Sequence, residues 1–209
     1  MKKTWMILLT AILIVLLGAC SGGKTGTDGA DFSYVIREDG KSIEITACNT
    51  KEKNIAVPAE IDGLPVRSIG TYAFYGCEAE EIFLPDSLEY VAGHAFVGCP
   101  KLISIDFGRG VMATGEYVCA YCDKLETLRF YDGFEFLGNP LLGPCPSLKA
   151  LYLPATTLNE TASIGSVTDC PKLVVYTPAN TISEKIALTD GFPVENLPME
   201  DFSWNRSSK

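Results

Sequence analysis

Histidine is nearly missing from this chain: His94 is the one copy in 209 residues. A structural zinc site draws about four ligands at suitable spacing; the C-x-x-C of Cys119-Ala-Tyr-Cys122 would need two more, and the only further hint is the single His94. Thioredoxin-like use of the same pair would need a βαβ setting, which the pattern does not provide. Basic charge is scarce too, with 17 Lys and Arg against 26 Asp and Glu and a formal net charge of −9. Nucleic acid is therefore not an expected partner, because that binding runs on clustered cations. The same acidity discourages adsorption to anionic lipid. Long hydrophobic runs are also lacking: the stretch Met6 to Leu17 stops at Gly18 after twelve residues, where a membrane-spanning helix needs about 20. No G-x-S-x-G, no Gly-rich phosphate loop after a strand and no paired-carboxylate motif occurs, so the common signatures of enzyme chemistry are missing. No cofactor is expected.

What is present begins with a leader. Lys2 and Lys3 precede the apolar stretch, and Leu17-Gly18-Ala19-Cys20 follows it with small residues before a cysteine. That is a signal-peptide layout. The last four residues resemble the lipobox of bacterial lipoproteins, which implies cleavage after residue 19 and a diacylglyceryl group on the Cys20 sulfur. The competing reading is an ordinary secretory signal with a coincidental cysteine. Two acyl chains hold a protein at a membrane stably where one does so only marginally, so the membrane becomes a partner through Cys20. Cleavage would leave 15 basic and 26 acidic side chains, a net charge of −11. Residues 21–31, SGGKTGTDGAD, carry no apolar anchor and read as a flexible tether.

The rest of the chain is organised by a repeat. Cys77, Cys99, Cys122, Cys145 and Cys170 lie 22, 23, 23 and 25 residues apart, a period in the leucine-rich-repeat range. Aligned on these cysteines, the middle three copies place Leu102, Leu125 and Leu148 three residues on. Ile105/Phe107, Leu128/Phe130 and Leu151/Leu153 follow six and eight residues on. The outer copies are one residue shorter and bring Ile82/Leu84 and Val175/Thr177 into place. Such alternation predicts a short strand with one face buried. Upstream positions recur as well, in Val66/Ile69/Phe74, Leu88/Val91/Phe96 and Phe134/Leu137/Leu142, while Val111/Thr114/Cys119 fits less well. A unit of this size cannot bury its apolar residues alone, so neighbouring coils must stack.

The segments I69-G-T-Y-A-F-Y-G-C77 and V91-A-G-H-A-F-V-G-C99, with strands ending in Leu84-Pro85 or Leu153-Pro154, resemble the BspA-like (Treponema-type) leucine-rich repeat. The resemblance covers about residues 33–197 and implies a solenoid, mainly β with short irregular or helical turns. Residues 34–46 and 57–66 are similar to the β-hairpin entry of such repeats, and residues 182–194 to a short amphipathic helix with a glycine stop. An open solenoid needs such atypical ends to cover its strand edges. The expected organisation is thus a leader at 1–19, a lipidated cysteine and tether at 20–31, a capped repeat domain at 32–197 and a tail at 198–209. The tail is expected to be disordered, apart from Phe202 and Trp204 tucking back onto the cap.

Within this frame the five ladder cysteines read as buried, reduced fillers, and Cys119 takes the core place of Phe74 and Phe96. His94 replaces Tyr72 and Tyr117 at an outer loop position, so a hydrolase using His94 with Cys99 or Cys119 is the weakest of three functions considered. The sequons at Asn159 and Asn205 read as coincidences in a bacterial chain. The outward positions of stacked strands form rows, and one row contains Phe83, Asp106, Arg129, Tyr152 and Tyr176 beside Glu81, Ser104, Thr127, Ala150 and Val174. Three aromatics and a central Arg suit recognition of a protein or a glycan. Equally, these rings would stabilise the sheet by cross-strand pairing, or lie covered by loops or caps. The resemblance implies adhesion at a bacterial surface, with a passive structural or self-associating coat protein as the alternative. The chain is expected to bind rather than catalyse.

Overall fold

The short alternating runs fold as three-residue strands, because only their middle side chains have a core to enter. The computed structural model of the chain describes residues 25–28, 31–155 and 161–202. Glu81–Phe83, Ser104–Asp106, Thr127–Arg129, Ala150–Tyr152 and Val174–Thr177 pair side by side, all parallel, with Asn54–Ala56 at one end and Val194–Asn196 at the other. We call this seven-stranded layer the face sheet. Its inward column is Ile82, Ile105, Leu128, Leu151 and Val175, each at most 1% exposed. Fully burying one such side chain is worth roughly 1.5–3 kcal/mol.

Two further sides close each coil. Ile43–Cys48, Leu64–Ile69, Tyr90–Val91 and Ala113–Thr114 form a parallel flank, and Phe96–Val97 with Cys119–Ala120 a shorter third side that Leu142 extends. Phenylalanines fill the space between, with Phe107 stacked on Phe130 at 4.2 Å and Phe130 against Phe134 at 4.4 Å. The chain is therefore a leucine-rich-repeat solenoid. Thr114, the poor fit in the repeat, is buried, and its hydroxyl accepts the Gly138 N–H at 3.2 Å.

Both ends are capped. Phe32–Ile36 and Ile43–Cys48 form an antiparallel hairpin against the flank, and Glu60–Ile61 turns back on Leu64–Ile69 through Asp62 and Gly63. At the other end Thr181 caps the helix Ile182–Thr189, accepting the Glu184 N–H, and Gly191 follows in the left-handed region. Ile186, Ala187 and Phe192 are buried there.

Three details depart from the sequence reading. Thr25–Asp28, inside the stretch expected to be coil, pairs antiparallel with Phe32–Val35, because the free hairpin edge offers backbone partners that composition cannot register. Val194–Asn196 adds a strand parallel to Val174–Thr177 although Glu195 and Asn196 are exposed and polar. In the tail, Met199–Phe202 forms a 3-10 turn where disorder was expected, while the burial of Phe202, at 1% exposure, agrees with the expectation for that ring. The leader, Cys20, residues 21–24 and Trp204 lie outside the described residues.

Candidate functional site

The face sheet sets Phe83, Asp106, Arg129, Tyr152 and Tyr176 in one row, each directly beside the next. Neighbouring strands are about 4.8 Å apart, a spacing at which planar groups on adjacent coils touch. The Arg129 guanidinium carbon lies 3.7 Å from the centre of the Tyr152 ring, and Tyr152 stacks on Tyr176 at 4.9 Å with 17° between planes. Arg129, Tyr152 and Tyr176 thus form one continuous stack, half-buried by its own members. Phe83 is the most open ring of the row, at 40% exposure. Desolvation of the Tyr176 hydroxyl, assisted by the Glu195 carboxylate, holds the phenol above its ordinary pKa. Asp106 plays a different part: its carboxylate accepts the Gly108 N–H at 3.1 Å and the Tyr131 hydroxyl at 2.8 Å. It therefore fixes the loop after its strand.

The structure places a second aromatic set on the turns before the ladder cysteines. Tyr72, His94 and Tyr117 form a column with ring centres 5.4 and 5.6 Å apart, and Tyr75 meets Tyr72 edge-on at 6.1 Å. Tyr75 and Tyr121 are 68% and 64% exposed. Tyr72, His94, Tyr117 and Tyr121 all hold positive φ, between 48° and 62°, which costs a bulky side chain roughly 1–2 kcal/mol. Sequence alignment put Tyr72, His94 and Tyr117 in equivalent outer places. That their rings touch, and that Tyr75 meets Tyr72, is not written in the spacing, although Tyr75 stands two residues before a ladder cysteine.

The cysteines point inward. Cys99, Cys119, Cys122, Cys145 and Cys170 are at most 1% exposed, and all seven described cysteines are free thiols. Cys99 and Cys122 donate S–H to the carbonyl oxygens of Phe74 and Phe96 at 3.1 and 3.0 Å. Burial pushes the Cys119 thiol well above its ordinary pKa, and the neighbouring Cys122 sulfur, with burial, does the same to Cys99. The thiolate needed for attack is disfavoured at both places, and half-buried His94 is packed between tyrosine rings on the turn. Among the described residues no three His, Cys, Asp or Glu side chains converge on a metal position.

Parallel coils with an inward Leu, Phe and Cys ladder define the leucine-rich-repeat class, and within it the comparisons are specific. Residues 47–168 match the BspA type leucine rich repeat region in six copies. The chain belongs to this family. It is similar to a leucine-rich-repeat protein of T. pallidum, with 32% identity, a TM-score of 0.63 and coverage of 72% of this chain and 70% of that one. It also shares its fold with a leucine-rich-repeat protein of Bacteroides capillosus, at 20% identity and a TM-score of 0.54 over 61% of this chain and 96% of that one. No curated protein sequence gives a significant match.

Proposed function

We propose that this chain is a non-catalytic, extracytoplasmic binding protein, lipid-anchored through Cys20, that presents its face sheet to a protein or glycan in an adhesion-type contact. The observation that carries this reading is the in-register stack of Arg129, Tyr152 and Tyr176 continued along the sheet toward Phe83. Aromatic and Arg side chains on a rigid, preformed layer lose little entropy on contact, and such side chains dominate binding energetics at interfaces. The sequence adds the leader and the Cys20 lipobox. A passive, self-associating coat remains the second reading, favoured by the same stack if it serves only to pair strands.

The test uses the full chain against immobilised matrix proteins and a glycan panel, beside a variant with Phe83, Tyr152 and Tyr176 all changed to Ala. Binding to at least one ligand, weakened tenfold or more in the variant, is expected. Binding that the triple variant leaves intact removes the face from the proposal, and concentration-dependent self-association without any ligand favours the coat. The anchor is read by fractionating bacterial cells that express the chain: Cys20→Ser should move the protein out of the membrane fraction.

A further inference from the structure

Cys48 stands apart from the other described cysteines. It ends the second strand of the entry hairpin and is half-buried, not sealed in the core. Its N–H donates to the Ala73 carbonyl at 2.7 Å, which sets it beside the first coil, in line with the column of Phe74, Phe96, Cys119 and Leu142. Its sulfur lies 3.9 Å from the sulfur of Cys77. Cys77 occupies the open end of the ladder and is the most exposed of its five members, at 9%. The thiols of Cys99 and Cys122, by contrast, are sealed from solvent and committed to carbonyl oxygens.

We infer that Cys48 and Cys77 are the site of an intramolecular disulfide that staples the entry hairpin to the first coil. Its formation in the cell rests on the extracytoplasmic reading above, since disulfides form and persist in oxidising compartments. The reaction itself does not. A small-molecule disulfide, RSSR, is the oxidant. The S–H that Cys48 offers to Cys77 pulls the Cys77 thiol down to about 7, so its thiolate is available near neutral pH. That thiolate attacks one sulfur of RSSR, giving a mixed disulfide and one RS⁻. The Cys48 sulfur then gives up its proton and displaces the second RS⁻ from Cys77. Two protein thiols are oxidised, RSSR is reduced, and both protons end on two RSH.

The test is peptide mapping of the purified full chain, fully reduced and then held at pH 8 in glutathione with the oxidised form in excess, followed by acid quench, unfolding and alkylation of free thiols. The expected product is a linked pair of peptides carrying Cys48 and Cys77, lighter by two hydrogens, with Cys99, Cys119, Cys122, Cys145 and Cys170 recovered alkylated. The link closes a loop in the unfolded chain, so Tm should rise by about 5 °C or more on oxidation. In Cys48→Ser both the linked pair and the oxidant-dependent rise should vanish. Recovery of Cys48 and Cys77 as free or singly glutathionylated residues overturns the inference, as does a link from either to any other cysteine. None of these readouts depends on ligand binding or on the anchor.

Discussion

Tyr121 occupies a place that the two preceding coils give to glycine. Gly76 and Gly98 stand one residue before their ladder cysteines at φ of 66° and 68°, and Tyr121 adopts 56° at the matching position before Cys122. Glycine meets no Cβ penalty there, at the cost of a more flexible unfolded chain. Tyr121→Gly should therefore gain roughly 0.5 kcal/mol of stability, the difference between the relieved strain and the added unfolded-state entropy. Chemical denaturation checks this, and a loss above about 1 kcal/mol would show that the exposed ring is held by packing. Strained aromatic turns of this kind are invisible in one sequence, because the sign of φ is not written in residue type once glycine is absent. The face row was legible at this scale: the period-two alternation after each cysteine fixed which side chains face outward, and Phe83, Asp106, Arg129, Tyr152 and Tyr176 align accordingly. That Asp106 would be bound by Gly108 and Tyr131 was not legible, since Tyr131 lies outside the aligned positions.

Coils are the elements here, and their spacing is set where two backbones nearly touch. A Cβ on Gly115 would run into the Gly93 nitrogen, and one on Gly138 into the Gly115 carbonyl oxygen. Neither contact is possible without moving a whole turn. Gly115→Ala should cost about 3 kcal/mol, at the upper end for overpacking because the obstruction is backbone; denaturation midpoints measure it, and a cost under 1 kcal/mol would mean that the coils slide freely. The third repeat looked irregular in sequence because Thr114 broke the apolar series, and its hydroxyl bond to Gly138 explains the exception. The edge strands are not legible in the sequence for the opposite reason. Thr25–Asp28 and Val194–Asn196 form because a neighbouring edge supplies partners, so no periodicity of their own was needed.

At the scale of the whole molecule, stability accumulates between neighbours. The ion pairs Lys53–Glu80, Arg67–Glu89, Lys101–Glu78 and Lys149–Glu126 each bridge adjacent units but are largely open to solvent, where such pairs contribute about 0–1 kcal/mol. The apolar stack carries the fold, so its ends matter more than its charges. Deleting residues 182–209 removes the helix, the last strand and Phe202 together, and uncovers the edge of Val174–Thr177. We expect that truncated chain to associate through the open edge and elute as higher species in size-exclusion chromatography. A monomeric, unchanged product would show that the cap is dispensable.

The shared register of the coils has one more consequence. Because Ile82, Ile105, Leu128, Leu151 and Val175 are interchangeable occupants of one buried column, an inserted or deleted coil leaves every remaining contact of the same kind in place. Duplication or loss of a 22- to 25-residue unit in the gene therefore lengthens or shortens the outer row one letter at a time. Descendants of such a gene can change the order of aromatic, acidic and basic groups they display without reinventing the interior.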